Sequence, residues 1–355
     1  MLNALPLVFV LIGLVLYTVL AGADFGAGMW QLMSGGGERG ARIRDHCHHS
    51  MGPVWEANHV WLIFVLTVTW TAYPVFFGSV ASTLAVALFI AALGIILRGA
   101  SYALRAGAAG TRELRTIDGM FAVASLVTPF ALGAAAGGIA AQRVPVGNAA
   151  GNLITSWLNP TSVLIGLLAV AFSAYLAAVY LAADAAARGD AELVEAFRVR
   201  ALGAGAAAGG LALAVALVVA DWAVARWPTL LPGLTIDQAA APHDTMVAVV
   251  VAVLAGAVLL FPALALLFTL TLQGRLGDHG EQAEKVATAD QGSVAQLLLG
   301  PTLGARLAAA LLIVGFGLLT VAETPWAHAI GVVSLLGFIL VAFAALVPRT
   351  LAEDA

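Results

Sequence analysis

The sequence is poor in cysteine and in charge. Its single cysteine, Cys47, excludes an intrachain disulfide framework and any four-cysteine metal or iron–sulfur centre built by this chain alone. The 16 Lys and Arg residues are outnumbered by 20 Asp and Glu, giving a net charge of −4, and no basic block breaks the pattern. That excludes an electrostatic nucleic-acid binder, which needs a cationic stripe to neutralise phosphates. Only 10% of the 355 residues are charged, against about 25% in soluble domains.

What is present is apolar surface. Hydrophobic residues make up 61% of the chain, more than a globular core absorbs, so the excess faces a bilayer. Stretches able to cross about 30 Å of hydrocarbon at about 1.5 Å per residue lie near 5–31, 53–74, 79–104, 117–140, 159–183, 201–225, 246–272, 303–322 and 328–348. The first lacks a basic flank and is too long for a signal peptide, so we expect a retained span. Glu323, Thr324 and Pro325 separate the last two, because proline removes a backbone donor.

Basic residues orient this array. Arg39, Arg42 and Arg44 follow span 1; Arg98, Arg105, Arg112 and Arg115 join spans 3 and 4; Arg188, Arg198 and Arg200 join 5 and 6; Arg275, Lys285 and Arg306 join 7 and 8; Arg349 follows span 9. Arg143 and Arg226 alone fall on the opposite face. The positive-inside rule then predicts an outside amino terminus and a cytoplasmic carboxyl terminus. The connections are too short for a separate soluble domain, so we read 1–355 as a single all-α polytopic membrane domain.

Ionisable residues inside spans are costly and point to function. Asp24 sits among Gly22, Gly26 and Gly28 near the inner end of span 1, and Glu56 follows Pro53 by one turn in span 2. A carboxyl in a low-dielectric site takes up and releases protons nearer neutral pH. The alternative is that Asp24 bonds a backbone group and Glu56 complements a helix N-terminus; both readings stand at this level. His59 shares a helix face with Glu56. That pair is half of a di-iron signature, but no second Glu-x-x-His exists. His46, Cys47, His48 and His49 have metal-ligand chemistry, yet four consecutive side chains do not converge on one ion, and we read them as a loop with no metal. Asp118, Asp184, Asp221, Asp244 and Glu323 fall at span ends. Trp30, Trp55, Trp157, Trp222, Trp227 and Trp326 suit an interfacial aromatic belt, while Trp61 and Trp70 lie deeper, as packing or gating residues.

The segment Ala23-Asp24-Phe25-Gly26-Ala27-Gly28, with Gly52-Pro53-Val54-Trp55-Glu56-Ala57-Asn58-His59-Val60-Trp61, resembles subunit II of the cytochrome bd quinol oxidases. Leu97-Arg98-Gly99, Pro129, Gly133 and Leu158-Asn159-Pro160 resemble it too. The resemblance implies nine helices: a four-helix bundle over 1–140, a second over 159–322, and a ninth helix at 328–348. It implies a bacterial-type cytoplasmic membrane location, and a heterodimer with a subunit I that carries haems b and d and the quinol site. That partner oxidises quinol and reduces dioxygen to water, with small accessory subunits alongside. This chain then binds no haem itself, and a structural quinone or lipid lies against it. By the same resemblance Asp24 and Glu56 match acids in or near a proton route and Trp61 a tryptophan near an oxygen route; we add His59 to the proton route, Trp55 to the oxygen route or its packing, and take Gly22, Gly26, Gly28, Pro53, Asn58 and Arg98 as structural. Some members carry another acid where this chain has Ala21, many a Glu where it has Ala103, and several an Asp in place of Glu56. Two other classes compete. One is an ion-coupled secondary transporter, for which we find no inverted repeat; the other is a scaffold subunit without a proton role.

Overall fold

A computed structural model describes the backbone at residues 2–105, 111–225 and 229–272 and at single helical positions between 307 and 341; side chains at 51–57, 102–103, 105, 111–115, 220–225 and 267–272 are not described. Met1–Ala263 and Leu264–Ala355 form two compact units. The elements below belong to the first, up to Ala263.

Nine α-helices are described: α1 (Leu5–Leu32), α2 (Gly37–Ala72), α3 (Pro74–Thr83), α4 (Ala85–Arg105), α5 (Thr111–Ala140), α6 (Pro160–Ala187), α7 (Ala191–Ala225), the short α8 (Ile236–Ala239) and α9 (His243–Leu272). They are not the nine expected spans. Among the described residues, five helical stretches are long and apolar enough to cross a membrane: Leu2–Leu32, Thr116–Ala140, Pro160–Ala187, Ala191–Val219 and His243–Leu266. The bent pair α3 and α4 makes a sixth if it counts as one span, and Asn58–Ala72 is a shorter apolar helix. The chain is a multi-pass, mostly helical membrane protein. The expected spans at 303–322 and 328–348 lie outside the continuously described residues.

Two boundaries differ from expectation. Pro53 reads as a helix start, because proline suits a first turn, yet α2 begins at Gly37 and stays helical through Gly52 and Pro53. The His46–His49 stretch is therefore helix, not loop. The expected span 79–104 is bent by 82° between α3 and α4. At this bend α3 is tethered to the loop after α5. Gly147 N–H donates to Ser79 Oγ at 2.9 Å and Ala149 N–H to Ser82 Oγ at 2.8 Å, while Leu84 at the corner is fully buried.

Helix α1 is the hub, packing against α2, α5 and α6; α4 packs on α5, α5 on α6, and α6 on α7. Small residues permit this. A Cβ at Gly26 would run into the Ser173 carbonyl oxygen of α6, and one at Gly22 would meet Leu176 at 3.0 Å. Without a hydrophobic effect between lipid-embedded helices, such close backbone contact is a main source of association. Two apolar clusters close the ends of the bundle. One gathers Val10, Tyr73, Leu84, Val144, Trp157 and Met246 with Leu231 and Leu234 of a small hairpin (Thr229–Leu231 with Leu234–Thr235) and Ile236 of α8. The other gathers Trp30, Ile43, Cys47, Leu181 and Phe197.

Two tryptophans expected in an interfacial belt, Trp30 and Trp157, are buried against protein. Trp30 donates its indole N–H to the Ala174 carbonyl at 2.8 Å and Trp157 to the Leu153 carbonyl at 2.9 Å. Their N–H groups are thus satisfied within the protein. Trp61 is buried, whereas Trp70 is 66% exposed and stacks on Phe77.

Candidate functional site

Every residue of α1 from Ala21 to Trp30 is buried. That all-round enclosure follows from Ala21, Gly22, Ala23, Gly26, Ala27 and Gly28, whose small side chains let neighbours close in on each face. Asp24 stands in the middle of it, 1% exposed.

Its partner is Arg98 of α4, also 1% exposed. Arg98 Nε donates to Asp24 Oδ2 at 3.0 Å, Nη2 donates to Asp24 Oδ1, and the same Nη2 donates to the Asp24 main-chain carbonyl at 2.7 Å. The remaining arm, Nη1, reaches Ser125 Oγ of α5, which in turn donates to the Phe121 carbonyl at 2.6 Å. The guanidinium carbon lies 4.1 Å from the Phe121 ring centroid and 5.2 Å from that of Phe25. A fork-to-fork pair with its spare donors filled is the geometry in which a buried ion pair is tolerated. Gly28 is part of the fit, since a Cβ there would strike Ser125 Oγ and stand 2.9 Å from Arg98 Nη1. Arg98, assigned from sequence to an inner connection, is instead a buried member of the bundle.

The other expected site residues lie on α2. The side chains of Pro53, Trp55 and Glu56 are outside the described residues. His59 is half-buried and within electrostatic range of Asp24 and Arg98, as is Tyr17 of α1. Asn58 and Trp61 are buried on one face of α2. Among the described residues neither the Asn58 amide atoms, the Trp61 indole N–H nor the Tyr17 hydroxyl finds a hydrogen-bond partner. Beyond Trp61, whose ring meets Phe64 edge-on at 6.1 Å, an apolar groove of about 760 Å³ runs between α1, α2 and α9, with Phe9, Phe64, Val249 and Leu260 in its walls and the hydroxyls of Thr67, Thr71 and Thr245 along it.

A second polar cluster ties the first turns of α2 to α6 and α7. His46 is buried, with Nε2 3.0 Å from the Leu181 carbonyl and 3.7 Å from Asp184 Oδ2. Ser50 also donates to Asp184, and Arg188 reaches it at 3.1 Å. Outside these, Arg42 clamps Asp190 at 2.6 Å and Glu192 at 2.5 Å. The Leu193 N–H and Arg42 together hold the Asp190 carboxyl below the usual carboxylate value. His49 turns to the Asp45 carbonyl, and burial pushes the Cys47 thiol up to about 12. Among the described residues no three His, Cys, Asp or Glu side chains converge to hold a metal ion.

Sequence reasoning missed Ser125 and Ser50, and gave Asp184 no role. For Ser125 the available signal was a hydroxyl in an apolar stretch, which tends to face another helix rather than lipid. It does not say which one.

The family model described as cytochrome bd terminal oxidase subunit II matches residues 2–215. The chain is similar to the cytochrome bd ubiquinol oxidase subunit 2 of Bacillus subtilis, 29% identical over 114 residues, which is 32% of this chain and 33% of that one. It is similar as well to the cytochrome bd-I ubiquinol oxidase subunit 2 of Escherichia coli K12, 28% identical over 182 residues, 49% of this chain and 47% of that one. The match thus spans between a third and a half of the length of these relatives.

Proposed function

The chain belongs to the family of cytochrome bd terminal oxidase subunit II, and from that premise we propose that it is the haem-free subunit of a quinol:dioxygen oxidoreductase in a bacterial cytoplasmic membrane. In this reading it pairs with a haem-bearing subunit I, and the complex oxidises quinol and reduces dioxygen to water. Nine transmembrane helices, an outside amino terminus and a cytoplasmic carboxyl terminus complete it. The observation that carries the proposal is the family match over residues 2–215, which includes Asp24, Glu56, His59, Arg98 and Ser125.

Reducing dioxygen consumes protons. Drawing them from inside, while quinol releases its own outside, separates charge across the membrane. We assign Glu56 and His59 to that inner route, with Asp24 beside it as a fixed anion. Asp24 is gripped by Arg98, so it serves better to set the local potential than to shuttle a proton. The groove beside Trp61 suits an isoprenoid or acyl chain, because its walls are apolar and its polar atoms are hydroxyls rather than charges. Small accessory subunits belong to the same reading. The Asp24–Arg98 clamp also favours a second reading, a scaffold subunit with no proton role.

Purification of the full chain from its native membrane, followed by a reduced-minus-oxidised spectrum, tests the assignment. A co-purifying haem-bearing subunit with a long-wavelength d-type band is expected; a colourless chain purifying alone overturns it. Glu56→Gln then separates the two readings. Slowed oxygen consumption with unchanged haem spectra supports the proton route, and full activity leaves the scaffold.

A further inference from the structure

We propose that the cavity where the end of α1 meets the starts of α2 and α7 binds the phosphate headgroup of an anionic phospholipid. The cavity holds about 380 Å³ and is walled by Trp30, Met33, Arg39, Glu195, Val199 and Arg200. Two of these are cations with donors left over. Arg200 gives Nη1 to the Ala196 carbonyl at 2.9 Å, and its guanidinium sits over the Trp30 and Phe197 rings at 5.7 and 5.6 Å. Arg39 is 68% exposed and approaches Glu192 only at 3.6 Å.

Neighbouring guanidiniums are committed elsewhere: Arg42 to Asp190 and Glu192, Arg44 to Ser34 and Gly35, Arg198 to Glu195. The pairing with Arg198, at 3.3 Å, also offsets the acid in the cavity wall. Two like charges lining one cavity repel, and an anion between them relieves the repulsion while accepting charge-assisted hydrogen bonds. Trp30 is a fixed platform, because its indole N–H is already bonded to Ala174.

The level and the rim select a lipid over a free ion. The apolar run of α1 ends at Leu32 and Met33, and Glu38 and Arg39 follow within a turn or two, so the cavity stands where hydrocarbon gives way to headgroups. Met33 and Val199 are exposed at its mouth, and Leu202 continues the exposed apolar face of α7. Inorganic phosphate uses the guanidiniums alone; a phospholipid uses the guanidiniums and this apolar path together.

The test is lipid retention by the full chain, purified with whatever accompanies it, delipidated and read by native mass spectrometry with phosphatidylglycerol or phosphatidylcholine added. Preferential retention of phosphatidylglycerol is expected. The double variant Arg39→Gln with Arg200→Gln reduces it roughly tenfold or more, and Arg188→Gln, outside the cavity, leaves it unchanged. Arg39→Gln alone touches an exposed side chain, so it keeps the test valid if the double variant fails to fold, and it lowers retention several-fold. Equal retention of the two lipids, or unchanged retention in both cavity variants, overturns the proposal. Inorganic phosphate that binds as tightly as phosphatidylglycerol overturns the lipid assignment.

Discussion

Arg98 holds Asp24 by both carboxylate oxygens and by the Asp24 main-chain carbonyl, across 74 positions of sequence. Through Ser125 the same guanidinium also reaches α5, so three helices meet on one cation. The pair is a counter-ion lock at the centre of the bundle, and its consequences are thermodynamic before they are catalytic.

Asp24→Asn or Arg98→Gln alone leaves an uncompensated charge or donor set in the interior, at a cost of about 3–5 kcal/mol. The double variant Asp24→Asn with Arg98→Gln removes both charges and costs less than the sum of the two. Thermal melting of the purified chain, read as a double-mutant cycle, checks this; additive losses would mean that the two residues do not act as a pair. The neutral double variant is also the clean activity test of Asp24, because it removes the carboxylate without stranding Arg98.

Gly26→Ala pushes α6 away from α1, since the new methyl meets the Ser173 backbone, which has no rotamer to yield. A loss of about 1–3 kcal/mol is expected. Gly209→Ala on α7 meets nothing and gains up to about 1 kcal/mol from helix propensity. Comparing the two melting temperatures separates a packing requirement from a general preference.

Asp190 gives the protein an acid-sensitive joint. Its carboxyl is lowered in the folded state by the Leu193 N–H and by Arg42, so the folded state binds fewer protons than the unfolded one near the carboxylate range. The stabilisation is present above the ordinary Asp value of about 3.9 and is lost as pH falls through the lower folded value. Asp190→Asn flattens the acid limb of the melting profile below about pH 4. Because the pair is partly exposed, added salt flattens it too.

Cys47 is buried and its thiol is pushed up to about 12 by desolvation. Only the thiolate is nucleophilic, so maleimide at neutral pH leaves the native chain unlabelled and labels it after denaturation in SDS. Rapid labelling of the native chain would place Cys47 at a surface.

How far the sequence reached is clearest at particular residues. The apolar runs announced α1, α5, α6, α7 and α9 because a span must be long and uncharged, a property each segment carries locally. Trp61 was legible as a deep tryptophan for the same reason. Pro53 misled, because a proline at a helix start and a proline within a continuing helix look alike without the preceding turn. His46 misled as well: its loop-like polarity is matched by Asp184 and by the Leu181 carbonyl, 138 and 135 positions away in no local pattern, and the latter separation is fixed only by α2 lying on α6.

Residue composition and order were enough to place this chain in a membrane, to show that its intramembrane charges are few, and to mark Asp24 and the small residues around it as exceptional. Composition and spacing suffice for that, since desolvation penalises each charge wherever the chain folds. Helix packing, and nothing local, puts Arg98 in the interior, brings Ser125 to its remaining arm and sets α3 against α4 at 82°. Those outcomes depend on which helix faces which, and the energy of a bidentate ion pair or a backbone contact at Gly26 exists only once two distant segments have met.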